Sequence, residues 1–295
     1  MKKVLFLVNP NAGKGGYKAG LGEALRTLYS GDLLPTVYFT SCPGDAVDIV
    51  AEHAADYDLV VCMGGDGTLS ETTAGLMSVS APPPLGYIPM GTANDVAATL
   101  GLSRDPAAAA QTIVRGRSID LDIGVFGENG YFTYVAAFGA FTEVSYETPQ
   151  ETKHALGHLA YILEGMARLP RLTHYRTRVE YDGNVIEDDL VFGGVTNSTS
   201  VAGLVKLNSN AVELGDGLFE VILVRKPANL AQMNDIVAAL ANMQNSNQSV
   251  TILHCSSVRF SFDAPVAWTR DGESGGMFSD ISFSNRRGAL RILVD

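Results

Sequence analysis

Short apolar runs alternate with segments of helical periodicity along the first 120 residues. Apolar runs with the length of buried strands lie at residues 4–8, 36–40, 58–62 and 85–89. Between and after these runs, apolar side chains recur at helical spacing, which predicts helices at residues 17–30, 45–55, 69–78, 94–100 and 106–115. This alternation predicts an α/β domain in which a parallel sheet carries helices on both faces.

The pattern changes near residue 122, after which short strand-like runs predominate. Strands are predicted at residues 131–138, 175–181, 185–196, 218–225, 250–254, 257–263, 277–284 and 290–294, and helices at residues 149–169 and 228–243. Gly, Asn, Asp or Pro bounds these strand-like runs, as is typical of a β-sandwich. We therefore predict two domains, at residues 1–122 and 123–295, and we allow the last strand to return to the first domain.

Composition indicates a well-packed soluble protein. The chain has 295 residues, of which 46% are hydrophobic and 18% are charged. No apolar stretch approaches the roughly 18 to 20 residues that span a membrane. Lys2-Lys3 precede an apolar run that is too short for a signal peptide. The three cysteines (Cys42, Cys62 and Cys255) have no paired spacing, which favours a reducing compartment and predicts a cytoplasmic protein.

The net charge restricts the possible partners. A charge of −11 disfavours nucleic acid, which requires a basic face. Attraction to anionic lipid would need a local basic patch, for which residues 153–178 are the best candidate. An ordinary solvated helix and loop explains that segment equally well.

A glycine-rich turn follows the apolar run at residues 58–62. Gly64, Gly65 and Gly67 let the backbone approach a phosphate, and the helix behind them directs free N–H groups at the charge. Asp66 is unexpected in such a turn, because a carboxylate beside a phosphate is repulsive unless it helps to hold a cation or takes a proton. The turn is therefore interpreted as a reaction site.

Two further polar, glycine-rich loops follow the strands at residues 4–8 and 85–89. In an open parallel sheet the carboxyl ends of the strands form the ligand-binding edge, so all three loops are expected to lie together. The first loop is not a P-loop, because Lys14 is followed by Gly15 instead of Ser or Thr. The turn at residues 64–67 also lacks the Gly-x-Gly-x-x-Gly frame of dinucleotide-binding proteins.

The motifs together resemble the diacylglycerol kinase catalytic family, and more closely its soluble bacterial lipid kinases. The resemblance runs through nearly the whole chain and rests on Asn9-Pro10-x-Ala12-Gly13, Gly64-Gly65-Asp66-Gly67-Thr68, Gly91-Thr92-Ala93-Asn94-Asp95, Asp122, residues 144–149, Asp216-Gly217-Leu218 and Asp271-Gly272-Glu273. The second of these motifs is shared with NAD kinases and, loosely, with phosphofructokinases. The third and the last are more specific to the lipid kinases.

The resemblance implies an ATP site, which would use Mg²⁺. The residues implied to bind ATP are Asn9, Pro10, Asn11, Ala12, Gly13, Thr40, Gly64, Gly65, Asp66, Gly67, Thr68, Gly91, Thr92 and Asn94. Asp66, Asp95 and Asp122 are implied to form an acidic network near a catalytic magnesium, partly through water. From the residues alone, Asp95 could instead cap a helix, and Asp122 could end a strand.

The resemblance also implies a structural magnesium site and a general base. Asp216, the carbonyl of Leu218 and Glu213 would hold the structural cation, since a hard cation prefers oxygen ligands. Asp271 would accept the proton of the substrate hydroxyl, with Glu273 as the substitute base. Spacing alone also fits a plain turn at Asp216-Gly217 and Asp271-Gly272, as it does at Asp182-Gly183.

The family implied by these motifs transfers the γ-phosphoryl group of ATP to the hydroxyl of diacylglycerol, which gives phosphatidic acid. Residues 1–122 would then be a nucleotide-binding catalytic domain of NAD-kinase or diacylglycerol-kinase type, and residues 123–295 a lipid-substrate domain. Transient peripheral binding to a membrane is implied, and a homodimer is possible. The alternatives are a kinase of phosphatidylglycerol, of a sphingoid base or of NAD, and a non-catalytic nucleotide-binding regulator.

Overall fold

The structure is a computed structural model that describes residues 1–15, 17–140, 173–197, 200–201, 205–206, 214–229, 232, 235–236, 239 and 247–295. Glu213 and the predicted helix at residues 149–169 lie outside the described residues. Most of the basic segment at residues 153–178 and most of the predicted helix at residues 228–243 also lie outside them.

The described elements are as follows. The strands are β1 (Lys2–Val8), β2 (Leu33–Phe39), β3 (Leu59–Gly64), β4 (Leu85–Pro89), β5 (Ser118–Phe126), β6 (Gly130–Phe132), β7 (Val135–Gly139), β8 (Tyr175–Tyr181), β9 (Asn184–Thr196), β10 (Ser200–Val201), β11 (Val205–Lys206), β12 (Phe219–Arg225), β13 (Val250–Cys255), β14 (Ser257–Arg270) and β15 (Glu273–Leu293). The helices are α1 (Tyr17–Ser30), α2 (Asp45–His53), α3 (Asp66–Leu76), α4 (Asp95–Thr99) and α5 (Pro106–Arg115), with 3₁₀ turns at Ala12–Gly15 and Ala54–Asp56.

The N-terminal half is a parallel sheet with helices on both faces. Strand β1 pairs in parallel with β2 and β3, and β3 pairs in parallel with β4. Alternate side chains of β1 point to opposite faces, so Phe6 packs in one cluster with α1 and α5, and Leu7 in another with α2 and α3. The carboxyl ends of β1, β3 and β4 therefore meet at one edge of the sheet.

The helices lie close to their predicted positions, with one difference that matters for the site. Helices α1 and α5 have the predicted bounds, and α2 ends two residues early because the chain continues as a 3₁₀ turn. Helix α3 begins at Asp66, not at residue 69, with Gly65 at its N-cap. The first helical turn thus belongs to the glycine-rich motif itself.

The C-terminal half is antiparallel and has longer strands than the sequence pattern predicts. The run at residues 257–263 continues as β14 to Arg270, and the two runs at residues 277–284 and 290–294 are parts of the single strand β15. The pairing of β15 with β5 shifts between Arg286 and Leu290, and this irregularity explains the interruption of the apolar pattern. Conversely, the run at residues 131–138 is divided between β6 and β7.

Strand β15 joins the two halves into one sheet. Along its length it pairs with β14 and β5, and at its end Ile292 pairs in parallel with Leu85 of β4. In the described part of the chain the result is a continuous 13-stranded sheet. The hairpin turn between β14 and β15 carries Asp271 and is held in the same sheet as the glycine-rich loops.

Candidate active site

The three glycine-rich loops meet at the carboxyl ends of the parallel strands. Asn9, directly after β1, donates from Nδ2 to the hydroxyl of Thr68 in α3 over 2.8 Å. The N–H of Met90, after β4, donates to the carbonyl of Gly64 over 2.7 Å. Gly65 and Gly91 approach so closely that a Cβ on Gly91 would lie 2.7 Å from the Cα of Gly65. Position 91 therefore needs glycine, and a Cβ on Gly65 would also be tight, at 3.2 Å from the Cα of Gly91.

A cleft of about 580 Å³ opens beside these loops. Among the residues predicted from the sequence, those that line it are Asn9, Asn11, Ala12, Thr40, Gly65, Gly67, Thr68, Gly91 and Glu273. Helix α3 begins at this cleft, so its first N–H groups and the positive end of its dipole face a bound anion. The cleft is suited to a phosphate chain.

The other residues implied to bind ATP shape the loops and do not line the cleft. They are Pro10, Gly13, Gly64, Asp66, Thr92 and Asn94. Asn94 is buried, and its side chain both accepts from the N–H of Gly91 over 2.8 Å and donates to the carbonyl of Gly91 over 2.7 Å. Asn94 thus holds the loop after β4 in place, while Thr92 is exposed on that loop.

Asp66 and Asp95 form a half-buried acidic pair next to α4. Burial raises the pKa of Asp66, although the N–H groups of Val96, Asp95 and Asn94 oppose the shift. Burial and the charge of Asp66 raise the pKa of Asp95 to about 6, and Arg104 opposes this rise. A carboxylate whose pKa is raised by burial and by a neighbouring carboxylate favours a bound cation or a proton nearby.

Asp122 lies within β5 and contacts the loop at residues 213–218 that carries the predicted structural magnesium site, called the metal loop below. Its carboxylate accepts from the N–H of Gly217 and from that of Gly288, each over 2.6 Å. Asp122 is predicted to lie with Asp66 and Asp95, whereas these hydrogen bonds connect it to the loop that carries Asp216. The alternative that Asp122 ends a strand is wrong, because β5 continues to Phe126.

The described part of the metal loop offers the oxygen ligands that Mg²⁺ prefers. The Asp216 carboxylate accepts from the N–H of Leu218 over 2.8 Å, and the Leu218 carbonyl accepts from the Asn285 amide over 3.2 Å. Glu220 lies two residues further along, buried, with Oε2 lacking a hydrogen-bond partner among the described residues. Burial, together with the charges of Asp216 and Asp122, raises the pKa of Glu220 to about 8. These oxygens are of the type that a hard cation prefers, but no group of three or more His, Cys, Asp or Glu among the described residues is arranged to hold a metal ion.

Asp271 lies at the hairpin turn between β14 and β15, where its carboxylate is surrounded by donors. Oδ1 accepts from the N–H groups of Tyr134 and Val135 over 3.0 and 3.1 Å. Oδ2 accepts from the N–H of Thr133 and from the hydroxyl of Ser70, each over 2.8 Å. These bonds explain why the predicted strand at residues 131–138 is divided, since the N–H groups at the break point to Asp271 instead of to a neighbouring strand.

Burial and hydrogen bonding act on Asp271 in opposite directions. The side chain is only 4% exposed, and this burial raises the pKa of the carboxyl group. The backbone donors and Ser70 counteract the rise because they favour the ionised form. Glu273, two residues on, is exposed and lines the cleft. The hairpin thus presents one enclosed and one accessible carboxylate.

Several residues that line the cleft are not among the predicted site residues. Ser70, Glu71, Cys42 and Arg270 line the cleft, and the Arg270 guanidinium lies 5.7 Å from the centre of the Phe126 ring. Ser70 follows Asp66 by four residues, so helical spacing from the glycine-rich motif would have placed it on the same face. Arg270 directly precedes Asp271, but no local pattern showed that its side chain would reach the cleft.

The fold and the cleft define a class of protein: a two-domain protein in which a cleft at the carboxyl ends of parallel strands faces a carboxylate-bearing hairpin from the second domain. Residues 3–126 match the family model described as the diacylglycerol kinase catalytic domain. Residues 135–294 match the model described as the YegS C-terminal NAD kinase beta sandwich-like domain.

Relatives extend the match over nearly the whole chain. The diacylglycerol kinase of Bacillus subtilis (strain 168) is 35% identical over 281 residues, which cover 94% of this chain and 91% of the relative. That of Staphylococcus aureus (strain MRSA252) is 37% identical over 280 residues, which cover 93% of this chain and 87% of the relative. A Bacillus anthracis str. Sterne crystal structure, provisionally classified as a diacylglycerol kinase, is 26% identical with a TM-score of 0.85, and the match covers 100% of this chain and 95% of that chain.

The chain belongs to the diacylglycerol kinase family. The predicted resemblance and the predicted two-domain architecture, with a catalytic domain followed by a β-sandwich-like domain, are confirmed. Family membership makes the chain a phosphotransferase with an alcohol acceptor. Within the described ranges, every helix is too short or too polar to cross a bilayer.

Proposed function

We propose that this chain transfers the γ-phosphoryl group of ATP to the hydroxyl of diacylglycerol and so forms phosphatidic acid. The observation that carries the proposal is the cleft itself, where the start of α3 and the loops after β1 and β4 face the β14–β15 hairpin. Phosphoryl transfer needs positioned reactants, stabilisation of the developing charge and a base. The phosphate-binding loops and the carboxylate on the opposite hairpin are suited to supply these in this family member.

The loops bind the nucleotide in this proposal. Asn9 and Thr68 already hydrogen-bond each other, so together they present a fixed polar edge to the triphosphate. The first N–H groups of α3 add backbone donors, and Arg270 supplies a cation in the same cleft. Asn94 holds the loop after β4 in place.

Two groups of carboxylates fit magnesium. Asp66 and Asp95 would hold the catalytic ion near the phosphates, while Asp216, the Leu218 carbonyl and Glu213 would hold the structural ion, with Asp122 bracing the latter loop. When bound, Mg²⁺ neutralises the charge that develops on the transferred phosphoryl group. Asp271 acts as the base, with Glu273 as the alternative.

The acceptor is a lipid, so the protein meets it at a membrane surface in a transient, peripheral manner. Free cysteines at positions 42, 62 and 255 support a cytoplasmic location. A homodimer is compatible with this proposal and is tested by the mass of the protein in solution.

The experiment measures ADP release from ATP and Mg²⁺ with diacylglycerol in anionic mixed micelles. Parallel reactions contain phosphatidylglycerol, sphingosine or NAD as the acceptor. We expect turnover that depends on diacylglycerol, is lost in Asp271→Asn and is kept in the matched turn variant Asp182→Asn. Turnover only with another acceptor would keep the kinase proposal and replace diacylglycerol as the proposed substrate. ATP binding without turnover on any acceptor would favour the nucleotide-binding regulator.

A further inference from the structure

The Asp271 carboxylate has no free position for a substrate hydroxyl. A carboxylate offers about four lone-pair sites on its two oxygens. Donors from Thr133, Tyr134, Val135 and Ser70 fill these sites, all over 2.8 to 3.1 Å. An alcohol that is to give its proton to Asp271 must therefore displace a donor or pass the proton through one.

Only one of the four donors is able to pass a proton on. The three backbone N–H groups are held by the chain between β6 and β7 and have no lone pair with which to accept. The Ser70 hydroxyl both donates and accepts, and it rotates about one bond. Ser70 therefore differs in kind from the other donors.

Ser70 also lies between Asp271 and the cleft. Ser70 is half-buried and lines the cleft, whereas Asp271 is 4% exposed and does not. Helix α3 positions Ser70 one turn beyond Asp66, so the hydroxyl is held by the same helix whose start faces the phosphates. A substrate hydroxyl in the cleft would meet the Ser70 oxygen before it met Asp271.

We propose that Ser70 is a catalytic residue that relays the proton of the acceptor hydroxyl to Asp271. This inference rests on the proposed function. As the acceptor oxygen forms its bond to the γ-phosphorus and the bond from that phosphorus to the β,γ-bridging oxygen breaks, the acceptor O–H proton moves to the Ser70 oxygen. The original Ser70 proton moves along the 2.8 Å hydrogen bond to Asp271 Oδ2. ADP carries away the electron pair of the broken bond, Asp271 becomes neutral, and Ser70 ends as a hydroxyl.

The surroundings of Asp271 suit the receiving end of such a relay. After the transfer, Asp271 Oδ2 donates to the Ser70 oxygen, which reverses the hydrogen bond without moving either heavy atom. The backbone donors at Tyr134 and Val135 still satisfy Oδ1. Because Asp271 is only 4% exposed and Ser70 lines the cleft, the proton returns to solvent through Ser70 in this scheme.

Two other roles compete with the relay. Ser70 could merely hold Asp271 in place, in which case any effect of its loss would be on stability and geometry. Alternatively, Glu273, which lines the cleft directly, could take the proton without Ser70. These roles differ in the number of protons that move during the chemical step.

The experiment compares wild type with Ser70→Ala, Ser70→Thr, Asp271→Asn and Glu273→Gln. Ser78→Ala is the matched control, since the Ser78 hydroxyl donates only to the Gly75 carbonyl at the other end of α3. For each variant, kcat, KM for ATP, thermal unfolding and the rate of a single turnover in mixtures of H₂O and D₂O are measured.

We expect Ser70→Ala to lower kcat by about 10²-fold, the lower end of the range for a proton-transfer group, with little change in KM. Ser70→Thr, which keeps the hydroxyl, should restore most of kcat. Wild type should show a curved dependence of rate on D₂O fraction, as expected for two protons in motion, and Ser70→Ala should not.

Three results would overturn the relay while leaving the kinase proposal intact. In the first, wild type is active and the kcat of Ser70→Ala stays within about threefold of it. In the second, Ser70→Ala loses activity and Ser70→Thr does not restore it. In the third, the rate of wild type depends linearly on the D₂O fraction and the main loss of kcat is in Glu273→Gln. If wild type shows no acceptor-dependent turnover at all, the proposed function fails first, and the relay fails with it.

Discussion

Two hairpins of this protein turn through the same dipeptide and serve different purposes. Asp182-Gly183 joins β8 to β9, and Asp271-Gly272 joins β14 to β15. Both turns have two residues with positive φ, at 42° and 82° in the first and 47° and 83° in the second. These values are typical of the tight turns that match the twist of paired strands.

The surroundings of the two turns are different. Asp182 is exposed, and its carboxylate meets the Ser256 hydroxyl at 3.5 Å. Asp271 is buried, and its carboxylate joins the β14–β15 turn to the broken strand at Thr133 and to α3 at Ser70. A turn signal in the sequence is therefore compatible with both a surface loop and a site, and packing against other elements decides between them.

Asp271→Asn is the strongest test of this difference. The variant keeps the shape of the side chain but places an amide NH₂ against a backbone N–H, which leaves a buried donor without an acceptor. We expect a loss of about 2 kcal/mol in the free energy of unfolding, within the range for an unsatisfied buried group. Asp182→Asn should change it by less than about 0.5 kcal/mol, since Asn-Gly suits the same turn.

Urea unfolding at neutral pH measures the free energy of unfolding of Asp271→Asn and of Asp182→Asn. Equal losses in the two variants would mean that the hydrogen bonds to Asp271 contribute no stability beyond that of the turn.

Asp95 is the opposite case to Asp271, because burial and the charge of Asp66, and not four donors, act on its half-buried carboxylate. An ordinary Asp has a pKa of about 3.9, and that of Asp95 is raised to about 6. Between these values the native state holds a proton that the unfolded state has released, so stability falls as the pH rises through this range. Asp95→Asn abolishes this fall.

We therefore expect Asp95→Asn to be more stable than wild type by about 1–2 kcal/mol at pH 8 and equal to it near pH 4, after allowance for partial solvent screening. Urea unfolding in EDTA at several pH values measures the difference, with Asp263→Asn, at an exposed position, as the control. A difference that is independent of pH would show that the charge of Asp95 is not the cause.

A small difference in stability is expected between the alanine variants of the two turn glycines, Gly183 and Gly272. Gly183→Ala and Gly272→Ala both place a side chain at positive φ, which costs about 1–2 kcal/mol. A Cβ at Gly272 would also lie 3.3 Å from the Tyr134 hydroxyl, whereas one at Gly183 would meet nothing within 4 Å. We expect Gly272→Ala to be the less stable by a few tenths of a kcal/mol to about 1 kcal/mol in thermal unfolding. If Gly183→Ala were the less stable variant, the Asp271-Gly272 turn would be the one that accommodates a side chain more easily.

Much of the fold could be predicted from the residues. Apolar runs and helical spacing located α1 and α5 to the residue, and the glycine-rich motifs identified the family. The long strands β14 and β15 were predicted less well, because the interruption between Arg286 and Leu290 in β15 looks like a loop when it is read locally. The division of residues 131–138 has a cause 136 positions away, at Asp271, which no local pattern contains.

The candidate residues could be found from local motifs, since glycines that permit close backbone approach and carboxylates in short motifs are local properties. Which of them meet depends on the tertiary structure. It brought Ser70 and Asp271 within a hydrogen bond across 201 positions, enclosed Asp271 while leaving Glu273 at the cleft, and connected Asp122 to the loop of Asp216. The physical reason is that burial and hydrogen bonding depend on contacts between strands and helices distant in the chain, and β15 joins both halves of the sheet.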